Sequence, residues 1–292
     1  MYTVAYVILN YQTYGDTINV TDEILSFKED DVLIVIVDNN SPNNSYQLLY
    51  EKYKSETKVR VIKSPHNSGF ASGNNIGLKY LERINPLYVC IINNDIHFSR
   101  ETIDRLKLIY PTLDSPAFIA PIQRLPNNII ASFAELNIPT LSYDIKTYTL
   151  FFQPKKHVYK PNYRGRNIQK VEILPGAFLF TKYETFRNLG FFDEDTFLFC
   201  EERFLGRKVK ENELKNYIIL DLYYLHEHSK TINKESSQKR QRGFLYDGKI
   251  KYWKRYSKHP NLVCLILAVM KNLNEIELAF IASLRPIKKL FR

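Results

Sequence analysis

Short, purely apolar runs alternate with segments predicted as helices along the first third of the chain. Three runs contain almost no polar residue, at 4–9, 32–37 and 88–92. Runs of this length are typical of strands buried on both faces of a parallel sheet. A shorter strand is predicted at 59–63, and helices are predicted at 16–27, 45–54, 70–81 and 101–109. This alternation predicts an α/β fold with a Rossmann-like, mostly parallel sheet flanked by helices.

Polar residues follow each of the three apolar runs at the point where the run ends. These residues are Asn10, Asp38 and the triplet 93–95, Asn-Asn-Asp. Because the carboxyl ends of parallel strands meet at one edge of a sheet, they are expected to lie close together. Asp95 suits a divalent cation, since Mg²⁺ and Mn²⁺ favour one or two carboxylates plus phosphate oxygens. The alternative is three unrelated turns, because Asn and Asp favour turns in any case.

The positions of the glycines do not match the two commonest nucleotide-binding loops. The sequence contains no GxxxxGK[ST] motif and no GxGxxG motif after its first strand, which disfavours P-loop kinases and dinucleotide-binding domains. Instead Gly69, Gly73 and Gly77 are spaced four apart. On a helix this spacing places Gly73 and Gly77 on one face, which allows close approach to a strand or to a ligand.

Charge and cysteine content narrow the class of protein. The 292 residues carry a formal net charge of +10, which implies an anionic partner such as a nucleotide, a nucleic acid or an acidic membrane surface. Cys90 and Cys200 lie in apolar runs and are expected to be reduced core residues. The start of the chain lacks signal-peptide features, and the longest apolar run, 262–270, is shorter than the ~20 residues of a bilayer span. We therefore expect the catalytic part to face the cytoplasm.

An ordered set of motifs resembles a known family of enzymes. Val-Asp-Asn-Asn-Ser at 37–41, Asn-Ser-Gly-Phe-Ala-Ser-Gly-Asn-Asn-Ile-Gly at 67–77 and Asn-Asn-Asp at 93–95 are followed by Gly-Ala-Phe at 176–178 and Cys-Glu-Glu at 200–202. This order resembles the family 2 glycosyltransferases with a GT-A fold. Within that family it is most similar to the bacterial rhamnosyltransferase-like branch of surface polysaccharide biosynthesis. The resemblance extends over about residues 3–232.

The resemblance implies a nucleotide site at the sheet edge. Tyr11 would lie against the base, Asp38 would accept a hydrogen bond from a pyrimidine imide, and Asp95 would hold Mn²⁺ or Mg²⁺. Asn93 replaces the first Asp of the family's Asp-x-Asp motif, which removes a charge. His226 would complete the metal shell or contact the diphosphate, with His228 as the less favoured histidine. The full implied nucleotide-binding set is Asn10, Tyr11, Asp38, Asn40, Asn67, Gly69, Asn74, Asn93 and Asn94.

Two adjacent carboxylates are the candidate bases. Glu202 matches the family's acceptor-activating position, and Glu201 remains an alternative. Displacement at an anomeric carbon needs a base that removes the proton of the acceptor hydroxyl. Repulsion between neighbouring carboxylates raises a pKa, which suits this task. The alternative is that both acids simply complement the dipole of a helix that begins there.

The second half of the chain gives a less regular pattern. Residues 114–172 appear irregular, with strands expected at 147–153, 173–181 and 218–225. The segment 262–284 predicts a long helix, or a helical hairpin broken near 271–277. Apolar positions there precede a basic tail, so 262–292 is expected to contact a membrane surface, the protein core or a second copy of the chain.

The sequence therefore predicts a catalytic domain at 1–232 and a basic helical extension at 233–292. The predicted enzyme is a metal-dependent, inverting hexosyltransferase. It would move a sugar from a UDP- or dTDP-sugar to a saccharide hydroxyl, in capsule, cell-wall or O-antigen type synthesis. The acceptor would be lipid-linked and the enzyme cytoplasmic, at the inner face of the membrane. A non-catalytic nucleotide-sugar or polysaccharide-binding protein is the alternative, and nucleic-acid binding by the basic aromatic stretch 240–256 is a weaker one.

Overall fold

A computed structural model of the chain describes residues 2–133, 135–148, 157–158, 167–227 and 236–290. In chain order the strands are β1 (Val4–Asn10), β2 (Val32–Asp38), β3 (Val59–Lys63), β4 (Tyr88–Asn93), β5 (Ile96–His97), β6 (Pro116–Arg124), β7 (Ser132–Phe133), β8 (His157–Val158), β9 (Ile168–Val171), β10 (Phe178–Lys182) and β11 (Lys215–His226). The α-helices are α1 (Tyr14–Ser26), α2 (Ser45–Tyr53), α3 (Phe70–Tyr80), α4 (Arg100–Ile109), α5 (Leu141–Thr147), α6 (Tyr183–Asn188), α7 (Glu201–Glu211), α8 (Ser236–Tyr256) and α9 (Pro260–Leu290).

Most of these strands form one mixed sheet. Among the described residues, nine strands pair in the order β3-β2-β1-β4-β10-β6-β11-β5, and β9 also pairs with β11. Strands β3, β2, β1 and β4 are mutually parallel, and β10 runs antiparallel between β4 and β6. The predicted α/β class with a mostly parallel sheet and flanking helices is confirmed by this arrangement.

Both faces of the parallel half are covered, which explains its unbroken apolar runs. Along β1, Tyr6 and Ile8 pack in one hydrophobic core while Ala5 and Val7 pack in the core on the opposite face. Each of these side chains is fully buried. A strand that is solvated on neither face has no position for a polar residue until it ends.

Three sequence predictions are corrected by the second half of the fold. Strand β6 lies inside a stretch predicted to be irregular, and Phe118 and Ile119 on it are fully buried. The strand predicted at 147–153 is wrong at its start, since Thr147 ends α5; residues 149–153 lie outside the described part of the chain. The strand predicted at 173–181 begins only at Phe178.

Helix α9 is continuous through 271–277, so of the two predicted alternatives the structure has the long helix and not the hairpin. Two polar residues there form contacts with α8. The Tyr246 hydroxyl donates to Oδ1 of Asn274 at 2.9 Å, and Lys271 lies 3.3 Å from a carboxylate oxygen of Asp247. Over the described residues, no helix combines the length and hydrophobicity needed to cross a bilayer. The predicted division at 232/233 falls in residues that the structure does not describe, and it stays a prediction.

A buried cluster of charges ties α5, α7 and α8 together. Asp144 is fully buried and accepts hydrogen bonds from Arg203 Nη1 at 2.8 Å and Trp253 Nε1 at 2.6 Å. Lys249 Nζ lies 3.1 Å from its other oxygen. Burial opposes ionisation of Asp144, but the positive charges of Arg203 and Lys249 outweigh it and hold its pKa below the usual range.

We predict that Asp144→Ala lowers the free energy of unfolding by about 3–5 kcal/mol, because it leaves two buried cations without their shared partner. Urea unfolding followed by circular dichroism measures this change. Glu51→Ala is the control, since Glu51 pairs with Lys54 on the exposed face of α2. It should leave the urea midpoint nearly unchanged. Equal shifts in the two variants would contradict a structural role for the cluster.

Candidate active site

The carboxyl ends of β1 and β2 are joined through Asp38. Its side chain is fully buried and accepts hydrogen bonds from Asn10 Nδ2 at 2.7 Å, from Ser41 Oγ at 2.7 Å and from the Ser41 backbone N–H at 3.0 Å. These bonds fix the turn after β2 and aim the following residues along the sheet edge. The contact between Asp38 and a base imide stays a prediction.

A chain of hydrogen bonds continues from Asp38 to the end of β4. Thr17 Oγ1, on α1, donates to Asn10 Oδ1 at 2.8 Å. Asn94 Nδ2 in turn donates to Thr17 Oγ1 at 2.9 Å and to Thr13 Oγ1 at 2.7 Å. The amide of Asn94 is therefore directed into the protein, where it couples the turn after β4 to the turn after β2. No sequence pattern pointed to Thr17 as part of the site.

The loop between β3 and α3 forms the next part of the edge. Asn39 Nδ2 donates to Asn67 Oδ1 at 3.0 Å and to the Gly69 carbonyl at 3.1 Å. Gly69 has φ +95°, and a methyl group added to it would lie 2.0 Å from the Phe197 carbonyl oxygen. Only glycine fits this position, because the left-handed conformation and the close backbone contact both exclude a side chain.

Other predicted nucleotide contacts are distributed around this loop. Tyr11 is 42% exposed, and Asn40 is exposed with a left-handed φ of +54°. Asn74 is fully buried and donates to the Phe70 carbonyl within its own helix. Gly73 and Gly77 allow α3 to approach β1, since a methyl group on Gly77 would lie 2.7 Å from a Val7 methyl carbon. Their spacing therefore serves helix–strand packing.

Asp95 and His226 meet at the candidate metal position. His226 Nε2 lies 3.1 Å from Asp95 Oδ1, and both side chains are largely buried. The pairing of β11 with β5, in register His226 with Ile96, brings them together across 131 residues of sequence. The Glu227 backbone N–H also donates to the Asp95 carbonyl at 2.9 Å.

Negative charge accumulates around this pair. The pKa of Asp16, on α1, is raised by burial and then by the nearby charges of Asp95 and Glu227. The helix that contains Asp16 was predicted to begin at this residue, and α1 begins two residues earlier at Tyr14. A bound cation would relieve this repulsion.

Asp95 and His226 fit a divalent ion whose remaining ligands would come from a diphosphate. Within the described part of the chain, no group of three or more His, Cys, Asp or Glu side chains is arranged to hold a metal by itself. One carboxylate leaves positions for phosphate oxygens, as at Mg²⁺ sites beside nucleotides, and the imidazole would add one nitrogen ligand.

The candidate bases lie beside the same strand end. The Asn93 backbone N–H donates to the Ala177 carbonyl at 3.0 Å, so the loop before β10 borders the end of β4. The preceding residue, Gly176, faces Glu202, since a methyl group added to Gly176 would lie 3.0 Å from Glu202 Oε1. Glu202 is thereby connected to the Asn93–Asp95 turn through two consecutive residues.

Both glutamates occupy the first turn of α7 in a desolvated setting. Glu201 is 4% exposed, and one of its oxygens has no hydrogen-bond partner. Burial raises the pKa of both carboxyls, and the charge of Glu202 raises that of Glu201 further. For Glu202 the Glu135 carboxylate adds to the effect of burial, while the Gly176 N–H and the Arg203 guanidinium oppose it. Burial is thus the main cause of the raised pKa values, whereas the sequence suggested that repulsion between the two carboxylates would be the cause.

Residues 191–200, termed here the bridging segment, connect the two halves of the site. On the α3 side, the Phe70 N–H donates to the Phe197 carbonyl at 2.8 Å, and Asn75 Nδ2 donates to Glu194 Oε1 at 2.8 Å. On the α8 side, Phe197 stacks on Phe244 with ring centroids 4.6 Å apart. The segment ends in Cys200, whose left-handed φ of +69° turns the chain directly into Glu201. A shift of the Gly69 loop would therefore be transmitted through the bridging segment to Glu201 and Glu202.

The motifs at the ends of β1, β2 and β4 lie within a region that a family comparison matches. Residues 7–114 match the model of the family described as "Glycosyl transferase family 2". This part of the chain is a glycosyl transferase family 2 domain.

A relative with a named activity supports the same class. The chain is 26% identical, over 208 residues, to the low-salt glycan biosynthesis hexosyltransferase Agl10 of Haloferax volcanii. The match covers 70% of this chain and 61% of that protein, so the chain spans less than two thirds of the relative's length.

Solved structures show that the family 2 domain has the GT-A fold. The structure of GalNAc-T7 with UDP, GalNAc and Mn²⁺ has a TM-score of 0.61 at 12% identity, over 78% of this chain and 44% of that one. The mannosyltransferase PcManGT of Pyrobaculum calidifontis, in complex with GDP-Man and Mn²⁺, has a TM-score of 0.59 at 14% identity, over 96% and 75%. S. aureus TarS 1–349 in complex with UDP-GlcNAc has a TM-score of 0.52 at 14% identity, over 92% and 71%. The bacterial rhamnosyltransferase-like branch stays a prediction.

We predict that Gly69→Ala destabilises the family 2 domain by at least about 1–3 kcal/mol, the cost of a non-glycine residue held in a sparsely populated backbone region. The contact with Phe197 adds to this strain. Gly15→Ala is the matched control, because nothing lies within 4 Å of the added methyl group on α1. Urea unfolding compares the two variants. Equal stabilities would show that the Gly69 loop is not constrained as described.

Proposed function

We propose that the chain is an inverting glycosyltransferase that moves one sugar from a UDP- or dTDP-sugar to a hydroxyl group of a lipid-linked saccharide. The observation that carries the proposal is the junction at β4, where the Asp95–His226 pair and the loop facing Glu202 adjoin one strand end. Sugar transfer needs a site for the departing diphosphate and a base for the acceptor within reach of one another.

The donor half of the proposal rests on the polar edge formed by the ends of β1, β2 and β4. The Asn67–Gly69 loop and the exposed Tyr11 lie along this edge and would line the base and ribose. Structures with the same fold were solved with UDP, UDP-GlcNAc and GDP-Man. We infer a pyrimidine nucleotide from the family resemblance, in which the carboxylate at the position of Asp38 accepts a hydrogen bond from the imide of the base.

Asp95 and His226 would hold Mn²⁺ or Mg²⁺, with diphosphate oxygens as the other ligands. When bound, such an ion neutralises the charge that develops on the leaving diphosphate. Asn93 contributes no charge to this site, so Asp95 supplies the carboxylate. Two of the structures with this fold contain Mn²⁺.

In the proposed reaction, Glu202 removes the proton from the acceptor hydroxyl as its oxygen forms a bond to the anomeric carbon. The bond between that carbon and the diphosphate oxygen breaks, and its electron pair leaves with the nucleoside diphosphate. Attack opposite the leaving group inverts the anomeric centre. A raised pKa makes Glu202 a stronger base than an exposed glutamate. The cytoplasmic location and the type of polysaccharide remain predictions.

The second candidate function is a non-catalytic receptor for nucleotide sugars or polysaccharides. It is favoured by Asn93, which replaces a metal-binding carboxylate of the family pattern. Slow hydrolysis of the donor in the absence of acceptor separates the two functions. An enzyme releases nucleoside diphosphate when Mn²⁺ is present, whereas a receptor releases none.

A thermal-shift screen of nucleotide sugars with Mn²⁺ or Mg²⁺ tests the donor class. A ligand present at 100 times its dissociation constant stabilises the fold by about 2.7 kcal/mol, so the matching donor should stand out. A UDP- or dTDP-sugar should raise the melting temperature in a metal-dependent manner. Stabilisation by purine nucleotide sugars alone would contradict the proposed donor.

We predict that Glu202→Gln lowers kcat by about 10²–10⁴, the usual effect of removing a general base. Donor affinity should stay within about threefold, which corresponds to less than about 0.7 kcal/mol. In the wild type, transfer requires ionised Glu202. Since burial raises this pKa, activity should fall on acidification at a pH above the usual glutamate value of about 4.3.

Glu211→Gln is the matched control for this variant, because it makes the same change at the exposed far end of α7, where Glu211 pairs with Arg207. It should transfer sugar at the wild-type rate. If Glu202→Gln retains wild-type kcat, Glu202 is not the base, and the same experiment on Glu201→Gln decides whether its neighbour takes that role.

A further inference from the structure

Helix α9 presents two faces of different character. On one face, Val263 and Leu267 are buried against α8 and the end of α5, and Asn274 is held by Tyr246. On the other face a line of large apolar side chains is 48–66% exposed; these are Leu262, Leu265, Val269, Leu273 and Ile276. This line is termed here the α9 stripe. Since α9 already packs on the protein through its first face, the α9 stripe is an additional surface.

The α9 stripe is narrow, long and uninterrupted by charge. At about 100° and 1.5 Å per residue its five members occupy an arc of about 80° over about 21 Å. Farther along the sequence, apolar residues continue at the same helical spacing, at 280, 284, 287 and 291. An exposed apolar surface of this length marks an interaction site.

The spacing by itself fits either a flat surface or a second helix. The five members of the α9 stripe recur on average about every 3.5 residues, and the residues at 262, 266, 269, 273, 276 and 280 are apolar at the spacing of a coiled-coil seam. The choice between the two kinds of partner therefore rests on charge.

Charge favours an anionic partner over a second copy of the chain. Each copy carries a formal charge of +10, so two copies repel one another. Four cations, Arg285, Lys288, Lys289 and Arg292, stand in the last eight positions of the sequence, on the C-terminal side of the stripe. Clustered cations beside an apolar helix face are attracted to the negative surface of bilayers that contain anionic lipids.

We propose that the α9 stripe lies in the interface of an anionic lipid membrane, with the helix parallel to the surface and its opposite face packed on the protein. This goes beyond sugar transfer and does not depend on it. It gives the enzyme a way to stay at the surface where a lipid-linked acceptor is found.

The test is co-sedimentation of the full-length protein with liposomes, in the absence of donor and acceptor. Vesicles of phosphatidylcholine alone are compared with vesicles that contain equal parts of phosphatidylcholine and phosphatidylglycerol. The wild type should partition at least about tenfold more strongly onto the anionic vesicles and should lose binding as salt is raised. Because no sugar is transferred, failure of the enzymatic proposal does not affect this result.

Two double variants separate apolar contact from net charge. Leu265→Glu with Ile276→Glu places two charges on the α9 stripe, and Asn261→Glu with Asn272→Glu places the same two charges on exposed polar positions of α9. Partitioning should fall at least about tenfold in the first and less than about threefold in the second, as expected when apolar area is lost only in the first. Leu265→Ser with Ile276→Ser, which adds no charge, should also weaken binding. Melting curves verify that each variant is folded.

Three results would overturn the proposal. The first is a wild type that fails to bind anionic vesicles, and the second is an equal loss of binding in the stripe and control variants. The third is a wild-type dimer in sedimentation velocity that only the stripe substitutions convert to monomer, which would identify the stripe as an interface between two copies.

Discussion

Strand β4 is the element on which the arrangement of the site depends. It pairs in parallel with β1 and antiparallel with β10, so its carboxyl end adjoins both the end of β1 and the loop before β10. Asn93 stands opposite Leu9 in one pairing and donates to Ala177 in the other. The two groups of residues that sugar transfer would need are therefore placed at a common level by backbone hydrogen bonds, before any ligand is present.

Buried hydrogen bonds and ion pairs that lie away from β4 help to keep its carboxyl end aligned with the neighbouring loops. The chain from Asp38 through Asn10 and Thr17 to Asn94 lies within the protein, where each hydrogen bond is stronger than in water and each unmade bond is costly. On the opposite side, Arg203 anchors the first turn of α7 to Asp144. Because that turn also holds Glu202, the cluster fixes a desolvated carboxylate whose own burial is unfavourable. The C-terminal helices contribute to this through α8, so they support the site as well as extending the fold.

The sequence predicted the elements that repeat a simple pattern. Strands β1, β2 and β4 were found because burial on both faces leaves no polar position, and the helices between them were located to within a few residues. Strand β6 was missed because Pro116 and Pro121 resemble loop residues. In the structure, Pro121 pairs with Ile219 just before a shift of register in β11, and a bulge of this kind tolerates proline within a sheet. The continuity of α9 depended on contacts with α8 that no local pattern contains.

The residues of the candidate site could be predicted only where they belong to a recognisable sequence motif. No local pattern indicated that Asp16 lies near Asp95, or that Thr17 connects two turns by hydrogen bonds, because both are ordinary positions on an amphipathic helix. The family resemblance placed His226 in the metal shell or against the diphosphate, whereas its direct contact with Asp95 joins residues 131 apart through strand pairing that no local pattern contains. Desolvation of Glu201 and Glu202 likewise depends on packing that only the folded chain provides.

The most direct test of this account is a crystal structure with UDP and Mn²⁺, in which anomalous scattering locates the metal. The account predicts a manganese peak within bonding distance of an Asp95 oxygen and of the diphosphate, with the base beside Asn67 and Gly69. A manganese peak remote from Asp95, or a nucleotide bound away from the ends of β1, β2 and β4, would contradict it.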